Sequence, residues 1–309
     1  MPESPTPRPL VMMGVLVFTV FCSMLSRVIF SPLMPTLQSD FGFTLTVAGS
    51  LFLLINVSYG LALLLAGFLS SRIGHGRTIG VALATVSGGL ILSAVSVGLW
   101  SLAAGIAVIG AGAGLYPSSG LVMINTAIDE KRRNTAFSVH EVGPNLALLI
   151  APLFVMLMEP WLGWRGVLAA LAALTTLASL LFFRWGVAGS GRGAEPNLST
   201  VFTVLRLRST LLAIMILSAG LSAVQGVYAI LPAYLVSQHG LSANQVNLLV
   251  SLSRVAGIVL LLQAGPIINR VGNRRTIAAV LIVSAVLTSL LGLSEGVFLM
   301  VIVVAQPTL

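Results

Sequence analysis

The chain has 309 residues, of which 57% are hydrophobic and only 8% charged, and its mean hydropathy is +1.05. Soluble domains carry about 25% charged residues, so a chain this apolar has the lipid bilayer as its solvent and partner. The net charge of +8 comes without any basic-aromatic surface outside the apolar runs, which excludes a nucleic-acid partner, and a single cysteine, Cys22, excludes an intrachain disulfide.

Residues 1–9 are polar and proline-rich, too short and unpatterned to fold. The apolar run after them lacks a small-residue cleavage site and reads as a retained first span. Further runs long enough to cross a bilayer follow. Together they occupy residues 10–35, 47–70, 78–99, 101–127, 135–158, 166–185, 211–235, 243–268 and 276–293, and a tenth begins near Gly296. Their length predicts helices, because barrel strands are about 10 residues long and alternate in polarity. Between the sixth and seventh runs, residues 186–210 include GSGRGAEPN and read as a cytoplasmic linker that ends in a short interfacial helix. The predicted organisation is a six-helix bundle at 1–185, that linker, and a second, incomplete bundle at 211–309.

Thirteen of the sixteen basic residues, from Arg8 to Arg275, fall on one side if the spans alternate; Arg165 faces the other side, and Arg27 and Arg254 lie inside spans. Basic residues collect in cytoplasmic loops, so the N-terminus is placed in the cytoplasm. Trp161 and Trp164 sit where the outer interface should be.

The two halves repeat at an offset of 198 residues. The block from Gly67 through Arg72, Gly74 and Arg77 lies over the block containing Gly265, Arg270 and Gly272, and Gly42 and Thr44 lie over Gly240 and Ser242. A repeat of this length is a duplicated bundle, and parallel six-span repeats are a transporter architecture with the site between the halves.

The block at 67–77 resembles the loop motif of the major facilitator superfamily, roughly G-x-L-x-D-R-x-G-R-[RK]. Asp40-Phe-Gly-Phe, Gly163-Trp-Arg165-Gly and Gly110–Pro117 add to the resemblance. Ser71 and Asn269 stand where that motif has its acidic residue, which puts the family's charge-relay latch in doubt. The resemblance implies an all-α membrane protein of two pseudo-symmetric bundles, with about ten of an expected twelve spans present. It also implies that the chain is a fragment, an inner-membrane location, and secondary transport without a cofactor, bound metal or catalytic residue.

Ionisable groups inside spans are costly and read as functional. Four lie clearly inside: Arg27, His140, Glu141 and Arg254. Arginine stays charged and offers a planar fork of donors suited to carboxylate or phosphate, so Arg27 and Arg254 point to an anionic solute. The resemblance adds that the first span lines the cavity and the eighth borders it. At the 198-residue offset Gln225 lies opposite Arg27 and Asn56 opposite Arg254, so each half supplies one arginine and one amide. The plainer alternative is that each arginine pairs with a carboxylate or bridges helix ends. Tyr116 and Tyr228 either line the cavity or pack.

His140 and Glu141 form a protonatable pair that points to a co-transported proton or to gating; the alternatives are that Glu141 is the counter-ion of Arg254 or that the pair is solvated at headgroup level. Adjacent helical residues point about 100° apart, so both need not face one cavity. Gly143-Pro144 partly resembles the fifth-span signature of drug/proton antiporters, but Gly105 stands where such antiporters carry an arginine in span four. The expected function is proton-coupled transport of a small organic anion by alternating access. A drug/proton efflux antiporter and a truncated or sensing, non-transporting product are the alternatives.

Overall fold

A computed structural model describes residues 9–185, 191 and 198–306. Arg8, Arg192 and most of the expected linker fall outside the described residues, as does the side chain of Asn269. Every regular element is helical, and the chain divides into two compact units, Met1–Pro196 and Asn197–Leu309.

The first unit holds α1 (Pro9–Val28), α2 (Phe30–Phe41), α3 (Leu45–Ile73), α4 (His75–Ala94), α5 (Leu99–Gly114), α6 (Tyr116–Ala127) and α7 (Glu130–Trp185). The second holds α8 (Leu198–Leu205), α9 (Arg208–Leu221), a π-helical turn (Ser222–Gly226), α10 (Val227–His239), α11 (Ala243–Val271), α12 (Asn273–Leu291) and α13 (Gly296–Ala305).

Among the described residues, six helical stretches are long and apolar enough to cross a membrane, not ten. One of the four, the expected eighth, is the 29-residue helix α11, much of whose side-chain placement lies outside the described residues; the other three have structural causes. The expected fifth and sixth spans are two helices within α7 that meet at a kink at Gly163, where φ is +63°, with no loop between them, and so count as one stretch. The expected seventh is divided by the π turn into α9 and α10, of 14 and 13 residues. The last helix, α13, has only 10 residues.

Breaks fall where the sequence removes a helix donor. Pro32 has no N–H to give to the carbonyl of Val28, and the helix breaks between α1 and α2 at Ile29. Pro117 does the same to Ala113, and α5 passes to α6 through Leu115, whose N–H tightens onto the Gly112 carbonyl at 3.2 Å.

The repeat is written in backbone angles as well as in letters. Gly42 and Gly240 both end a helix in the left-handed region, at φ/ψ 67°/26° and 64°/18°. Gly74 and Gly272 form one-residue joints at 87°/156° and 89°/147°. A Cβ disfavours these angles, which is why glycine recurs at the offset of 198. Thr44 and Ser242 then cap the next helices through their hydroxyls, accepting from Val47 N–H at 3.4 Å and Gln245 N–H at 3.3 Å.

In the first unit α1 packs on α7, and α5 lies against both α3 and α4. Leu16, Cys22, Ile79, Leu83 and Phe182 fill one core among these helices. A Cβ on Gly105 would collide with Ser93, so the place where drug antiporters carry an arginine has no room here for any side chain. A Cβ on Gly143 would lie 2.6 Å from a Val20 methyl, and its absence lets α7 close onto α1.

Trp164 is buried in the protein, and its indole N–H donates to the Asp40 carboxylate. Gly163 turns it inward, leaving Trp161 exposed. Arg165 lies over the Trp164 ring, 3.8 Å from Asp40, and donates to the Ser96 carbonyl at 3.1 Å. These contacts tie the end of α2 to the bend in α7. Arg72, Arg77 and Arg270 are exposed, and Gly67 and Gly265 lie within α3 and α11.

Candidate functional site

The first unit contains a cavity of about 220 Å³ lined by residues of α1, α3, α5, α6 and α7. Its apolar wall includes Val20, Met24 and Leu121; its polar groups are Ser23, Arg27, Tyr59, Tyr116, His140 and Glu141.

Arg27 stands in the last turn of α1, where the free carbonyls of a helix end favour a cation. Its Nη2 donates to Asn56 Oδ1 at 3.0 Å. The Asn56 amide is oriented for this because its Nδ2 donates back to the Phe52 carbonyl at 2.8 Å. The guanidinium lies 3.9 Å above the centre of the Tyr59 ring, a cation–π contact. Arg27 Nε is buried and has no hydrogen-bond partner among the described residues. No described carboxylate lies within ion-pairing distance of Arg27. The alternative in which a carboxylate pairs with Arg27 therefore has no support in the first unit.

The opposite wall carries the protonatable groups. Tyr116, 2% exposed, bonds His140 Nε2 at 2.8 Å and the Leu16 carbonyl at 3.2 Å. The phenol and imidazole rings are parallel, 5.9 Å apart. His140 Nδ1 lies 3.4 Å from Glu141 Oε1. Despite the 100° step along the helix, both side chains border the cavity.

In the second unit Arg254 is 8% exposed and sits 4.3 Å above the ring of Tyr228, itself 1% exposed. Gln225 is half-buried in the π turn. Such turns widen a helix locally and recur at functional sites. Asn247, Ser251 and Arg254 occupy one buried face of α11. Asn247 Oδ1 has no hydrogen-bond partner among the described residues.

Sequence reasoning missed Tyr59 and Asn247. Tyr59 follows Asn56 by three residues and Asn247 precedes Arg254 by seven, spacings that put each on the same helix face as a residue already singled out.

A family model described as the Major Facilitator Superfamily matches residues 16–306. The chain belongs to this superfamily. This member is 28% identical over 158 residues to a multidrug transporter of the superfamily, mfsC, from Aspergillus fumigatus; the match covers 51% of the chain and 30% of the relative's length. Among solved structures it resembles a mutant of the peptide transporter POT in complex with alafosfalin, with TM-score 0.76 and 18% identity over 96% of this chain and 78% of that one. It also resembles a bacterial homologue of the human lysosomal transporter Spinster, inward-facing and unoccupied, with TM-score 0.75 and 14% identity over 99% and 74% of the two chains. A D-xylose-proton symporter gives TM-score 0.68 at 13% identity, over 97% and 79%. At these identities the structures establish the fold: an all-α, multi-pass membrane protein of two pseudo-symmetric helical bundles.

Proposed function

We propose that this superfamily member is a secondary transporter of a small organic anion, working by alternating access and coupled to protons. It lies in an inner membrane with its N-terminus in the cytoplasm, as the one-sided basic residues favour. The observation that carries the reading is Arg27: a membrane-embedded cation with a buried, unbonded Nε, no described carboxylate within ion-pairing distance, and a cavity at its side. Asn56 and Tyr59 hold the guanidinium in place, and a carboxylate or phosphate would supply the missing acceptor and countercharge. Arg254 on Tyr228 offers a second station of the same chemistry.

A panel of carboxylates, phosphate esters and lipophilic cations tests this by thermal shift on the purified chain and on Arg27→Gln and Arg254→Gln. A ligand at 100 times its Kd stabilises by about 2.7 kcal/mol, well within detection. An anion that stabilises the native chain and neither variant supports the reading. Lipophilic cations that stabilise all three alike would overturn it. That outcome would favour the second reading, drug efflux, for which the likeness to the fungal multidrug transporter and the apolar wall of Val20, Met24 and Leu121 speak.

A further inference from the structure

Tyr116 has one hydroxyl proton and two partners. The Leu16 carbonyl, 3.2 Å away, can only accept, so the phenol proton points there. The 2.8 Å contact with His140 Nε2 must then use a proton on that nitrogen, with the phenolic oxygen accepting. In the neutral ring Nδ1 is left bare, and it faces Glu141 Oε1 at 3.4 Å. Two lone pairs directed at each other repel; one proton between them makes the contact attractive.

We propose that His140 Nδ1 and Glu141 form a site for one proton, and that Tyr116 is its positioning residue, fixing the tautomer that keeps Nδ1 open. The inference rests on the transport reading for its use and gives that reading a sign. Arg27 is the other charged group on the cavity wall, and Tyr59 and Tyr116 are the remaining titratable ones. With the shared proton bound, the pair is neutral in sum and the cavity carries the single positive charge of Arg27. Without it the pair is negative and cancels Arg27. An anion is therefore held when the proton is held, and the two move together as a symport. An exchanger would need the anion to favour the deprotonated cavity. The step is a proton transfer only: the proton passes between Nδ1 and the carboxylate oxygen, and from the carboxylate to water in the open cavity.

Nitrogen NMR of the full chain in lipid nanodiscs, labelled with ¹⁵N at histidine, reads the tautomer directly. The sequence has 3 histidines, and His140→Gln assigns the signal. The expected neutral form carries its proton on Nε2 alone. Tyr116→Phe should yield a mixture of both tautomers, with the signals of His75 and His239 unmoved as the check on folding. Glu141→Gln should shift the Nδ1 resonance and leave the Nε2 proton in place. A native neutral ring protonated on Nδ1, or a His140 spectrum indifferent to both substitutions, would overturn the proposal. The readout needs no solute. If the anion panel fails while the tautomer is as expected, the transport reading falls and the proton site stands; the reverse result removes the proton site alone.

Discussion

The two arginine stations use the same groups with the helices exchanged. In the first unit the arginine is on α1, and α3 opposes it with Asn56 and, three residues on, Tyr59. In the second unit the arginine is on α11, and the opposing segment carries Gln225 and, three residues on, Tyr228. At the 198-residue offset Arg27 corresponds to Gln225, and Asn56 to Arg254. A guanidinium over an aromatic face recurs, with an amide three residues before the ring in each unit, although no position keeps its residue. Packing alone makes no such demand, since an apolar pair would fill either place at lower cost in the membrane. The difference teaches that the guanidinium-on-ring contact is kept while the helix that carries the arginine changes.

The largest expected effect comes from breaking either station. Arg27→Gln or Arg254→Gln should weaken binding of the responding anion at least about tenfold, because a hydrogen bond to a charged group contributes about 1.5–3 kcal/mol; titration calorimetry in detergent measures it. The exchange itself can be tested next. Arg27→Asn combined with Asn56→Arg converts the first unit to the second unit's arrangement. It should recover a good part of the affinity lost in Arg27→Asn alone, and a double variant no better than the single one would break the comparison.

Smaller effects test the repeat. Gly42→Ala and Gly240→Ala should each destabilise by about 1–2 kcal/mol, the cost of a side chain in the left-handed region, and by like amounts; reversible unfolding in mixed micelles reads both. Trp164→Phe should cost about 1.5 kcal/mol, the low end for a bond to a charged group because Asp40 is half-exposed, and leave anion affinity unchanged.

How much of this was legible in the letters follows from what each residue is paired with. Glycines at 42, 74, 240 and 272 could be aligned because their backbone angles exclude other residues, and the second-unit joint repeats the first to within a few degrees. Arg27, Asn56, Arg254 and Gln225 stood out because polar groups in apolar runs are rare. Tyr59 did not, since a tyrosine among leucines looks like packing until the guanidinium above it is seen. Trp161 and Trp164 looked alike in the letters because both lie between two apolar runs; the structure shows that Trp164 turns inward after Gly163 and Trp161 stays exposed. The number of spans misled because hydropathy marks apolar length, and length does not show where two helices join at Gly163 without a loop or where a π turn divides a helix.

The most direct test of the central claim is proton entry into proteoliposomes that enclose a pH-sensitive dye, because one proton moving with a monovalent anion carries no net charge. Pulses of carboxylates and phosphate esters are applied to the native chain and to Arg27→Gln, each at two pH values. The account predicts an anion-evoked acidification of the lumen that is larger at the lower pH and is lost in Arg27→Gln. A response to lipophilic cations alone, equal in both proteins, would contradict it.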